Sequence, residues 1–120
     1  MLPILIVDDH ADIRRLLSVT LGKDYTILEA EDGLGALQVI QQHHPMIVLL
    51  DVMMPGELNG LQVLDAIKNN PKTRDILVAM VTARGQTADS DEARKRGADA
   101  YFIKPFSPLQ VVAWVRSQLN

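Results

Sequence analysis

Five short runs of unbroken apolar residues limit how this chain can fold more than any other feature: Leu2 to Val7, Thr26 to Leu28 with Ala30, Met46 to Leu50, Ile76 to Val81, and Tyr101 to Ile103. A strand with one wet face alternates apolar and polar residues, so unbroken apolarity predicts strands covered on both faces, as in a parallel sheet. Between the runs, apolar residues recur at helical intervals: Ile13, Leu16, Leu17 and Leu21, then Leu37 and Ile40, then Leu61, Leu64 and Ile67. Regular alternation of strand and helix predicts an α/β domain, a doubly wound sheet of five parallel strands with five helices on its two faces. The 120 residues, 48% hydrophobic and 22% charged, suit one domain spanning 1–120 with an ordinary core.

Punctuation marks the helix ends. Gly22 and Gly97 follow helical stretches where a left-handed residue is expected, and Pro45 and Pro71 also stop helices. Ser107 as N-cap and Pro108 at the first helical position start a last helix running to Leu119. On it, Leu109, Val112, Ala113 and Leu119 share the face expected to meet the core. Val111 and Trp114 lie off its centre, so Trp114 is either the edge of the core or part of a partner surface. Met46, Met54 and Met80 read as core, and His43 and His44 as the end of the second helix. The segment Arg84 to Arg96 has only Ala88 and Ala93 as apolar residues, which predicts a weak, mobile helix.

Twelve basic against fifteen acidic residues give a net charge of -3, with no Lys/Arg run, which argues against direct nucleic-acid binding. The absence of cysteine excludes disulfides and thiolate metal sites and fits a reducing cytoplasm, where we expect the protein to work. The longest apolar run, the six residues Ile76 to Val81, is too short to span a membrane.

Ligands of an open α/β sheet bind beyond the carboxyl ends of its strands, where the strand order reverses. There this chain places Asp8 and Asp9 after the first strand, Asp51 after the third, Thr82 after the fourth and Lys104 after the fifth. Two carboxylates about 5 Å apart repel by roughly 3 kcal/mol at an effective dielectric of about 20, so such a cluster needs positive charge. Lys104 and one divalent cation balance three carboxylates. Oxygen donors suit a hard ion such as Mg²⁺. Asp51 is then placed to attack phosphorus, with Lys104 and Thr82 contacting the equatorial oxygens. His10, next to the acidic pair, reads as a solvated residue at a helix start rather than a ligand.

The stretches ILIVDDH, IVLLDVMMP, VTA and YFIKPF, in this order and spacing, resemble the receiver domain of two-component response regulators over essentially the whole chain. The resemblance implies a flavodoxin-like sheet of order 2-1-3-4-5, and a phosphoacceptor Asp51 that takes its group from the phosphohistidine of a histidine kinase or phosphotransfer protein. It implies Mg²⁺ held directly by Asp9 and Asp51, through water by Asp8, and by the backbone carbonyl of Met53. It also implies a cis Lys104-Pro105 bond, a switch formed by Thr82 and Tyr101, and a signalling surface on the fourth helix, fifth strand and fifth helix, open to an effector or a second copy. Residues two past the phosphoacceptor and two past the switch Thr, here Met53 and Arg84, tune phosphoryl lifetime in the family; Met53 cannot orient water, which predicts slow autodephosphorylation. Two features depart from the pattern: Gly56 to Asn59 make the following loop one residue longer, and Gly35 replaces a larger charged residue. A switch is therefore expected rather than a multiple-turnover enzyme. The alternatives are an Asp-nucleophile phosphatase and a receiver-like binding module that signals without phosphorylation.

Overall fold

The computed structural model describes residues 2–54, 56–83 and 87–119. Strands β1 (Pro3–Val7), β2 (Thr26–Ala30), β3 (Ile47–Asp51), β4 (Leu77–Ala83) and β5 (Ala100–Lys104) alternate with helices α1 (Ala11–Leu21), α2 (Gly33–His43), α3 (Gly60–Lys68), α4 (Thr87–Lys95) and α5 (Pro108–Leu119). All pairings are parallel, and the sheet runs β2-β1-β3-β4-β5. The order expected from the resemblance is thus present.

The unbroken apolar runs of β1 and β3 follow from the alternation of their side chains between two cores. Leu5 and Val7 of β1, with Val48 and Leu50 of β3, face a core closed by Ala36 and Ile40 of α2, Val63, Leu64 and Ile67 of α3, and Ala93 of α4. Ile4, Ile6, Ile47 and Leu49 face the other core, closed by Leu17 and Leu21 of α1 and Val111, Val112 and Val115 of α5. Each fully buried Leu, Ile or Val contributes about 1.5–3 kcal/mol, so both faces are fixed by the same strands.

Local signals set where the helices start. Asp32 caps α2 by accepting from the Gly35 amide at 2.7 Å, and Asn59 and Gln62 form a reciprocal capping box on α3 at 2.9 and 2.8 Å. The chain leaves β5 through a cis Lys104-Pro105 bond, as the resemblance implied, and α5 begins at Pro108.

Several sequence expectations need correction. Gly22 caps α1 in a right-handed conformation (φ −67°), whereas Gly97 is left-handed (φ +100°) as expected. The left-handed cap of α2 is His44 (φ +47°), whose Nε2 lies 2.8 Å from the Lys72 carbonyl oxygen. Met46 is exposed, since its backbone serves the sheet through Pro3 and Leu77 while its side chain precedes the covered part of β3. On α5 the core face is Val111, Val112 and Val115, while Leu109 is 77% exposed and Trp114 is half-buried, edge-on to Phe102. Six of the seven residues from Leu109 to Val115 are apolar, so periodicity alone could not choose the buried stripe. Of the segment read as weakly helical, Thr87–Lys95 is helix, and Arg84 lies outside the described residues.

Candidate functional site

The chain leaves β1 for β2 on one side and passes from β2 to β3 on the other, so the reversal of strand order lies between the carboxyl ends of β1 and β3. The carboxylates collect there. Asp8 is 2% and Asp51 4% exposed, buried because the strands that carry them are flanked by sheet on both sides. Lys104, at the end of β5, reaches back with Nζ 3.0 Å from Asp8 Oδ2 and 3.4 Å from Asp51 Oδ2. Asp51 Oδ1 accepts from the Met53 amide at 3.2 Å. The Asp8 Oδ1 atom accepts from the His10 amide at 2.9 Å and faces His10 Nδ1 at the same distance, while Nδ1 also lies 3.2 Å from Asp9 Oδ1.

Two anions sharing one lysine leave the cluster acidic. Burial, and then the charge of Asp8, raise the Asp51 pKa above its ordinary value of 3.8, and Lys104 only partly offsets them. Burial of Lys104 acts downward, but its hydrogen bond to Asp8 and the charges of Asp51 and Asp8 outweigh that and raise its pKa. His10 is raised by its Asp8 hydrogen bond and by the charges of Asp9 and Asp8. One donor atom each from Asp8, Asp9, His10 and Asp51 fall within 4.8 Å of one another, a separation that a single cation can span. The donor set, mostly carboxylate around a negative pocket, fits a divalent ion.

Most residues singled out in the sequence meet here. Asp8, Asp9, Asp51 and Lys104 converge, and neither aspartate of the adjacent pair caps α1, whose N-cap is His10. Asp51 pairs with Val81 in the sheet, which puts the buried Thr82 one residue further along the neighbouring strand. Tyr101 pairs with Met80, so Tyr101 and Thr82 share the face covered by α2, α3 and α4, and Tyr101 is partly buried against that core. Met53 is 58% exposed at the mouth of the site.

Three residues make contacts that the sequence reading did not include. His10 is the exposed helix-start residue expected, its side chain 59% exposed, and it also faces both carboxylates. Arg14, one turn into α1, donates from Nη1 to the Asp8 carbonyl at 2.7 Å and from Nε to Glu29 at 3.2 Å, tying the acidic loop to β2. Gly60 opens α3 against the end of β3, where a Cβ would collide with the Asp51 carbonyl oxygen and come within 2.7 Å of Val52 Cα. Only the folded chain brings those contacts together.

Comparison with known proteins agrees with this geometry. The sequence profile described as "Response regulator receiver domain" matches residues 4–116. Over 118 residues, 98% of the chain, the sequence is 44% identical to the "probable transcriptional regulator ycf27" of Cyanophora paradoxa, covering 48% of that protein. Over the same length it is 40% identical to the phosphate regulon transcriptional regulatory protein PhoB of Klebsiella pneumoniae, covering 51% of it. The chain therefore spans about half the length of the curated relatives it matches. Among solved structures, the receiver domain of NtrX from Brucella abortus superposes with a TM-score of 0.89 at 32% identity, covering 97% of each chain.

Proposed function

The chain belongs to the response regulator receiver domains of two-component systems, signalling domains rather than multiple-turnover enzymes, and we propose that Asp51 is its phosphoacceptor. A carboxylate oxygen of Asp51 attacks the phosphorus of a phosphohistidine on a histidine kinase or phosphotransfer protein. The P–N bond breaks, the electron pair returns to the donor imidazole, and Asp51 carries the phosphoryl group. Asp9, Asp51 and the Met53 carbonyl would hold Mg²⁺ directly and Asp8 through water, and the ion when bound would supply charge neutralisation for the incoming group. Lys104 gives up its place between Asp8 and Asp51 to pair with phosphoryl oxygen, and Thr82 donates its hydroxyl to the same group.

The observation that carries this reading is one lysine Nζ standing 3.0 and 3.4 Å from two buried carboxylates that it cannot fully neutralise. That intact set supports phosphorylation over a receiver-like module that signals without it. Phosphorylation takes Asp51 from about -1 to about -2 and biases Thr82 and Tyr101, which remodels the surface of α4, β5 and α5 for an effector or a second copy. In relatives named as transcriptional regulators, a transcriptional output is the natural reader of such a surface, and we extend that role to this chain, without direct nucleic-acid contact by this domain. The cytoplasm, where kinase phosphohistidine is made, is its place of action.

A small acyl phosphate with Mg²⁺ should add one phosphoryl group by mass, and Asp51→Asn should abolish the gain. No gain in the wild type, or an undiminished gain in the variant, defeats the proposal.

A further inference from the structure

Resting on the metal-site reading above, we propose that His10 is itself a ligand of that cation, through Nδ1, and that it moves the site's preference from a purely hard ion toward a borderline one such as Co²⁺ or Zn²⁺. Donors about 2.1 Å from a shared ion stand about 3.0 Å apart when adjacent and about 4.2 Å apart when opposite. His10 Nδ1 lies 2.9 Å from Asp8 Oδ1 and 3.2 Å from Asp9 Oδ1, the spacing of adjacent donors, and the four-residue set including Asp51 falls within 4.8 Å. A cation bound by Nδ1 would take the place of the hydrogen bond that the ring now shares with Asp8 Oδ1.

Division of labour at Asp8 points the same way. Lys104 occupies Oδ2, whereas Nδ1 faces Oδ1, so the imidazole and the ammonium sit at different oxygens and do not compete. The ring is 59% exposed, which lets it turn toward an ion without breaking core packing. Imidazole nitrogen favours Co²⁺, Ni²⁺ and Zn²⁺ over Mg²⁺, while carboxylates alone serve Mg²⁺.

The test titrates wild type, His10→Gln and Asp51→Asn separately with Mg²⁺ and with Co²⁺ at about pH 7.5, one unit above the ordinary imidazole value. Binding is read by calorimetry and by the visible absorption of Co²⁺. Wild type should bind Co²⁺ more tightly than Mg²⁺. His10→Gln should weaken Co²⁺ by about tenfold or more, the scale of a lost group around a metal, alter the Co²⁺ spectrum, and leave Mg²⁺ affinity nearly unchanged. Asp51→Asn, which keeps the exposed His43 and His44, should lose both ions from the site. Equal weakening of both ions in His10→Gln makes His10 only a clamp on the carboxylates and overturns the inference, as does an unchanged Co²⁺ affinity. Mg²⁺ binding with either of those results leaves the metal site standing, whereas a wild type that binds neither ion removes both readings.

Discussion

Replacing Asp51 by Asn should stabilise the protein in the absence of divalent cation, although it removes the residue on which the proposed function depends. Asp8 and Asp51 have donor oxygens no more than 4.8 Å apart, a repulsion of at least about 3.5 kcal/mol at an effective dielectric of about 20. The attraction of Lys104 across 3.4 Å, about 4.9 kcal/mol on the same scale, offsets it, but the desolvation of a carboxylate only 4% exposed costs several kcal/mol more. The balance is against the charge, in line with the raised pKa of Asp51. Asn keeps an oxygen for the Met53 amide and leaves Lys104 its 3.0 Å bond to Asp8. We expect a gain of about 1–3 kcal/mol, or roughly 4 °C in Tm per kcal/mol for a domain of this size. Urea denaturation in chelator measures it. The sign with pH is fixed: the folded pKa lies above the ordinary 3.8, so the native state holds the proton more tightly. The stability this gives is complete below the unfolded pKa and lost as pH rises through the folded one. The advantage of Asn should therefore be small near pH 4 and open toward neutrality. Excess Mg²⁺ should shrink or invert it, because the wild type alone gains binding free energy. A variant less stable than wild type in chelator at neutral pH would refute the reasoning.

Lys104→Met should destabilise the cation-free protein by about 3 kcal/mol, since it strands two buried carboxylates; a loss below about 1 kcal/mol in urea melts would mean that solvent already neutralises them. Gly60→Ala should cost about 1–3 kcal/mol or more and weaken Mg²⁺ binding together with stability, because the added methyl drives into the Asp51 carbonyl; an unchanged Tm contradicts that close approach. The phosphorylated protein should survive minutes or longer, since the half-exposed Met53 offers water no hydrogen bond, and Met53→Asn should shorten the lifetime severalfold; decay of the purified wild type within seconds would remove this role.

The pattern of apolar runs by itself determined that this is an α/β sheet covered on both faces, because unbroken apolarity in pieces of strand length, too short to cross a membrane, has few other uses. It also named Asp8, Asp9, Asp51, Thr82 and Lys104, since residues closing parallel strands must emerge on one edge. The buried stripe of α5 was not legible: Leu109, Val111, Val112, Ala113, Trp114 and Val115 are all apolar, and only packing against α1 and the sheet selects Val111, Val112 and Val115. Nor could the chain alone reveal that His10 faces both carboxylates or that Arg14 grips the Asp8 carbonyl. Strand ends are local and repeat with the period of the fold, whereas those contacts depend on the angle at which α1 leaves β1, which is set by the packing of Leu17 and Leu21 far from the site.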